Sequence, residues 1–66
     1  MAGKYQNRIR EIRKARGMTL AEISGSVGIS IAYLSDIECG HRHGTELTLQ
    51  RIAETLGVTV DDLEVA

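Results

Sequence analysis

The 66-residue chain has no proline, no tryptophan and no phenylalanine, and its only aromatic residues are Tyr5 and Tyr33. A buried core must therefore be aliphatic, built from Ile, Leu, Val and Met. No apolar run is long enough to span a bilayer, and the charged, amphipathic beginning of the chain does not read as a secretory signal. A single cysteine, Cys39, cannot form an internal disulfide, which points to a reducing compartment and a cytoplasmic protein. Residues 1–66 read as one domain, near the lower size limit for folding without disulfides or a metal.

A surplus of positive charge is also missing. The formal net charge is −1, which taken alone argues against a nucleic-acid partner. Its distribution argues otherwise. Lys4, Arg8, Arg10, Arg13, Lys14 and Arg16 face only Glu11 within the first sixteen residues, a local +5. Glu46, Glu54, Asp61, Asp62 and Glu64 outnumber Arg51 in residues 46–66, a local −4. The chain is dipolar, so the field that meets a phosphate depends on which end docks. A solvated basic helix face with no partner explains the same charges equally well.

What is present is concentrated in residues 19–40. Thr19 caps one helix (about 19–26), with Glu22 three residues later completing a reciprocal capping box. Gly28 supplies a turn that needs positive φ, and Ser30 caps a second helix (about 30–39). Ile23 and Val27, then Leu34 and Ile37, give each helix one apolar stripe, and Ile29 plugs the corner. Two short helices joined this way form a helix-turn-helix, the unit whose second helix can enter the major groove of DNA.

The remaining segments read as helices around that unit. Residues 1–5 are expected to be loose. A first helix runs from about Gln6 to Arg16 on Ile9 and Ile12, with Tyr5 extending the stripe by a turn and Gly17 ending it. Met18 staples against Ile23. Gly40-His41-Arg42-His43-Gly44 is an exposed polar loop. A fourth helix from Glu46 to Leu56 carries Leu49, Ile52, Ala53 and Leu56 and closes at Gly57. Thr59 caps a short fifth helix with Asp61 and Asp62 in its first turn, where negative charge is favoured, and Val60 and Leu63 as its apolar residues. The fold class is all-α, five helices and no strand.

Cys39, His41 and His43 suggest a metal site. Three donors at alternate positions of a short loop give poor tetrahedral geometry and lack a fourth ligand, so no metal is expected. No nucleophile–base pair and no phosphate loop is present, so neither an enzyme, a cofactor nor a small-molecule substrate is expected.

With these residues placed, the chain resembles the Cro/C1-type (XRE-like) helix-turn-helix family of phage repressors and bacterial transcriptional regulators, over roughly residues 7–63. The landmarks are Ile9-Arg10-Glu11-Ile12, Gly17-Met18-Thr19, Val27-Gly28-Ile29-Ser30, Tyr33-Leu34-Ser35, Ile37-Glu38, Gly40-His41-Arg42, Arg51-Ile52-Ala53, Leu56-Gly57-Val58-Thr59 and Asp61-Asp62-Leu63, all in one register without a gap. The resemblance implies a compact lambda-repressor-like domain that binds operator DNA as a dimer.

Carried over by position, the base-contacting residues would be Ser30, Ile31, Ala32 and Asp36. Ile31 stands where the family often has Gln or Arg, and Asp36 where Arg, Lys or Gln is common. Ile31 and Ala32 can touch a thymine methyl, and Asp36 can accept from a cytosine amino group, while its charge repels nearby phosphates. Phosphate contacts would come from Thr19, the backbone N–H of Leu20 at the start of its helix, Tyr33, His41 and Arg42. Arg13 and Glu38 occupy the positions of a structural ion pair. At Gly44-Thr45-Glu46 the family's usual Pro is missing, so the packing role is expected to pass to Leu47. Val58, Val60, Leu63 and Val65 offer more apolar surface than one small core needs, which predicts a homodimer seam at the acidic end.

The function expected from the resemblance is a sequence-specific regulator on a palindromic operator in double-stranded DNA, a repressor or a restriction–modification-type controller. The rival is a protein-interaction module on the same scaffold, antitoxin-like or coactivator-like, for which Leu20, Ile31 and Asp36 would be adaptations to a protein surface.

Overall fold

The computed structural model describes residues 5–65; Met1 to Lys4 and Ala66, including the basic Lys4 and most of the segment expected to be loose, lie outside the described residues. Five helices follow one another: α1 (Ile9–Ala15), α2 (Leu20–Val27), α3 (Ile31–Glu38), α4 (Glu46–Leu56) and α5 (Val60–Leu63). No strand occurs among the described residues; the one extended pairing is an isolated antiparallel bridge between Asn7 and Glu64. None of these helices is long and apolar enough to cross a membrane.

Helix starts are written in local side-chain chemistry. Thr19 accepts the Glu22 N–H while Glu22 accepts the Thr19 N–H, and Thr59 and Asp62 repeat that reciprocal box on α5. Ser30 and Thr45 cap α3 and α4 by accepting the N–H three residues on. Between α2 and α3 the chain must reverse within a few residues, and Gly28 does so at φ 84°, a conformation a β-carbon would oppose.

The core is aliphatic throughout. Ile9, Ile23, Val27, Leu34, Ile37, Ile52, Ala53, Leu56 and Leu63 are buried, with Ile12, Met18, Ile29, Leu49, Val58 and Val60 packed around them. Each fully buried Ile or Leu contributes about 1.5–3 kcal/mol, so this cluster is what holds such short helices in place. α2 packs on both α3 and α4, and α4 carries α5. The angle of α3 is thereby set by α2 and the core.

Three sequence expectations are corrected. The first helix begins at Ile9, not Gln6, and Tyr5 does not extend its stripe. Residues 5–8 are instead drawn out by distant partners: Tyr5 N–H donates to the Gly40 carbonyl (2.9 Å), Asn7 Nδ2 to the Ile37 carbonyl (2.7 Å) and Arg8 N–H to the Leu63 carbonyl (2.8 Å). Leu47 does not take over the packing role; it is 56% exposed, and Leu49 lies against the loop at Gly44. Leu63 is 2% exposed, a core residue and not surplus surface.

Candidate nucleic-acid interface

Among the described residues, nothing covers the outward side of α3. Leu34 and Ile37 turn into the core, and Ala32, nearly opposite Leu34, is exposed; Ile31, in the first turn of the helix, is 50% exposed. Ser30 is exposed at the cap, its hydroxyl oxygen accepting the Tyr33 N–H at 3.0 Å. These three predicted base-contacting residues share one end of the helix. Asp36, the fourth, lies further along and is engaged: its carboxylate accepts from Arg42 Nε at 3.3 Å.

Tyr33 is half-buried, packed against the core on one side and facing Arg42 on the other. The Arg42 Cζ lies 5.8 Å from the centre of its ring, within cation–π range. His41 and Arg42 are both exposed on the loop past α3, as expected, and both of their backbone N–H groups donate to the Asp36 carbonyl, at 2.9 and 3.3 Å. His43 stacks edge-on with Tyr5 at 5.4 Å, and its Nδ1 faces the Gly44 carbonyl. Cys39 is exposed at the α3 C-cap, and no group of three or more His, Cys, Asp or Glu residues among the described residues is placed to hold a metal ion.

Thr19 opens α2 with its hydroxyl accepting the Glu22 N–H at 3.1 Å, which leaves the hydroxyl proton free to donate. The first-turn N–H groups of Leu20 and Ala21 have no intrahelical partner, so α2 offers donors to an anion. The Leu20 side chain is half-buried and adds none. Glu22 sits in the same turn with its carboxylate on the Thr19 N–H (3.0 Å), and its charge opposes an incoming phosphate.

Behind the exposed face, Arg13 and Glu38 fix α1 to the end of α3. Two parallel hydrogen bonds join them, Nε to Oε2 at 2.7 Å and Nη2 to Oε1 at 3.1 Å, with side chains 11% and 4% exposed. Nη1 donates to the Met18 carbonyl at 2.9 Å. The Glu38 hydrogen bond holds the Arg13 guanidinium above its ordinary range and outweighs burial, which acts the other way.

The basic cluster of α1 is partly committed elsewhere. Arg16 Nε donates to the Leu56 carbonyl at the end of α4 (2.8 Å), where a cation satisfies an orphan acceptor. Arg8 pairs with Glu11 at 2.9 Å in solvent. Arg10 and Lys14 remain exposed. Of the predicted seam, Val58 and Val60 are half-buried against the core and Val65 is exposed at 52%. Two residues went unnoticed in the sequence. Thr45 has the ordinary signal of a cap, a Thr directly before the helix. Asn7 does too: its Oδ1 accepts the Ile9 N–H two residues on, the turn Asn favours.

A helix-turn-helix family model matches residues 9–63. The HTH-type transcriptional regulator DdrOP3 of Deinococcus deserti is 47% identical over 60 residues, 91% of this chain but 46% of that protein, so the chain spans less than half the length of this relative. Among solved structures, the biofilm regulator SinR in complex with DNA superposes with a TM-score of 0.74 at 31% identity, over 82% of this chain and 87% of that one. The restriction–modification controller C.AhdI of Aeromonas hydrophila superposes with a TM-score of 0.79 at 24% identity, over 83% of each chain, which is a likeness of fold alone. From the capped pair α2–α3 to the buried Arg13–Glu38 link, this chain belongs to the Cro/C1-type (XRE-like) helix-turn-helix family.

Proposed function

We propose that this chain is a sequence-specific DNA-binding transcriptional regulator that lays α3 in the major groove. The observation that carries the reading is the outer side of α3, uncovered among the described residues, with Ser30, Ile31 and Ala32 exposed at one end and the donor groups of α2 opening the preceding helix. The named function of DdrOP3 and the DNA in the SinR structure support it. Ile31 and Ala32 touch thymine methyls, while Thr19, the Leu20 N–H, Tyr33, His41 and Arg42 meet the backbone. A repressor or restriction–modification-type controller on a palindromic site is the form this takes. One recognition helix gives little specific affinity, so two copies act on two half-sites about a helical turn apart. Their seam lies at the α5 end on Val65, with Val58 and Val60 partly available and Leu63 beneath them.

Selection of bound sequences from a random duplex pool tests this directly. Enriched inverted repeats with A·T-rich contacts are expected; a pool that shows no enrichment overturns the reading. One observation favours the rival, a protein-interaction module: Arg42 is the single Lys or Arg among residues 17–50, so the exposed face is poor in charge. For that module, binding would ignore both salt and the loss of Arg42, whereas DNA binding weakens as salt rises.

A further inference from the structure

Arg42 carries all the positive side-chain charge that the helix-turn-helix and its following loop possess, and it is not free. It is held from three directions. Asp36 Oδ2 accepts from its Nε at 3.3 Å, the Asp36 carbonyl accepts its backbone N–H at 3.3 Å and that of His41 at 2.9 Å, and the Tyr33 ring lies under its guanidinium at 5.8 Å. Tyr33 and Asp36 are three residues apart on α3, hence neighbours on its surface, and Arg42 is brought back over them by the turn at Gly40 (φ 79°).

We infer that Asp36 is a positioning residue which orients Arg42 as a preformed clamp for the DNA backbone, and is not itself a reader of bases. This rests on the DNA-binding function proposed above and replaces the cytosine contact expected for Asp36. Because Nε is taken by the carboxylate, the guanidinium keeps Nη1 and Nη2 as a free edge, two donors spaced to fork onto phosphate oxygens. The cation rests on an aromatic face and is tied at its backbone, so it reaches a phosphate with less loss of side-chain freedom than a solvated arginine.

The same carboxylate sets a limit on affinity. An exposed pair at this distance is weakly bound, with side chains 63% and 45% exposed, but it leaves the face near neutrality when Arg42 meets a phosphate. Fewer counterions are then released, and binding to arbitrary sequence is held down. Asp36 thus exchanges general affinity for a fixed contact that pays off only when α3 sits in its proper register.

The test is a double-mutant cycle with Asp36→Asn and Arg42→Gln, each titrated on a selected duplex and on a random-sequence duplex over a range of salt. Circular dichroism melts establish that both exposed substitutions leave the fold intact. Asp36→Asn is expected to tighten binding to the random duplex about three- to fivefold at low salt, from loss of one repulsive charge near a phosphate. It should steepen the salt dependence by roughly 0.9 in log–log slope, one further counterion released. On the selected duplex the loss of a fixed Arg42 should cancel that gain, so discrimination between the two duplexes falls about three- to fivefold; in the Arg42→Gln background, where only the charge effect is left, both duplexes should tighten alike and discrimination should stay unmoved. Discrimination that falls equally in both backgrounds, or a changed base preference at one position, would make Asp36 a base reader and overturn the inference. Failure of the unmodified protein to bind either duplex overturns the DNA-binding function itself, a separate result.

Discussion

Arg13 and Glu38 face each other across the junction of α1 and α3 in a bidentate pair, 2.7 and 3.1 Å, with Glu38 nearly sealed from solvent. The pair also reaches Met18 through Arg13 Nη1, so the end of the α3 helix, the end of α1 and the entry to α2 are tied at one point.

Removing Glu38 strands the Arg13 charge. Glu38→Ala is expected to cost about 3–5 kcal/mol, the usual loss when one member of a buried pair is deleted. A domain of this size has only about 3–10 kcal/mol of stability in total, so the variant should be largely unfolded near 37 °C. Urea titration followed by circular dichroism measures this; a loss under 1 kcal/mol would mean the pair is not the tie described.

Two glycines separate cleanly. Gly25 lies inside α2, exposed, with open space where a β-carbon would go, so Gly25→Ala should stabilise by about 0.5–1 kcal/mol. Gly44 has φ +82°, and its β-carbon would stand 3.2 Å from Ile37 Cδ1 in the core. Gly44→Ala should destabilise by about 1–2 kcal/mol. In thermal melts the two variants move in opposite directions, at about 4–8 °C per kcal/mol for a domain this small. A rise for both would contradict the backbone assignment at Gly44.

The α5 cap should resist mild acid and weaken only at low pH. The Thr59 backbone N–H, followed by its hydroxyl, holds the Asp62 carboxyl below its ordinary 3.8; the nearby Arg8 charge adds a little, and slight desolvation opposes. A carboxyl depressed in the folded state gives stability that is complete above its unfolded value and lost as pH falls through the folded one. The loss therefore lies in the range below pH 3.8, and Asp62→Asn should flatten the acid side of the stability curve there. Carboxyl-carbon NMR of the folded protein and of a peptide covering 58–65 gives both midpoints. Equal midpoints would exclude the effect.

Ile31 is the cheapest probe of the DNA reading. Half of its surface is open, so Ile31→Ala should alter stability by no more than about 0.5 kcal/mol. Its loss of a thymine methyl contact should cost on the order of tenfold in affinity for a selected site, within the range of a single specific contact. Fluorescence anisotropy on selected and random duplexes checks the difference. Equal losses on both would assign Ile31 no part in sequence discrimination.

The helices of the central unit and their ends can be read from neighbouring residues alone. Thr19 with Glu22, Gly28 and Ser30 act within three or four residues of themselves, and so do the spacings of Ile23 with Val27 and Leu34 with Ile37. Such signals are legible because the interacting groups are neighbours along the chain. The Arg13–Glu38 pair is legible only through the family resemblance, since nothing local in either residue announces a partner 25 positions away.

Other features depend on contacts between distant parts of the chain. Gln6 and Asn7 have helix-compatible neighbours, yet the segment is extended because Ile37, Gly40 and Leu63 supply its hydrogen-bond partners. Leu63 is buried because α5 packs on α4, while Leu47, equally apolar, points to solvent. The contact of Asp36 with Arg42 likewise exists because the turn at Gly40 carries Arg42 back across α3. In each case the deciding contact joins groups that only the packed fold brings together, and a one-dimensional pattern carries no record of that distance.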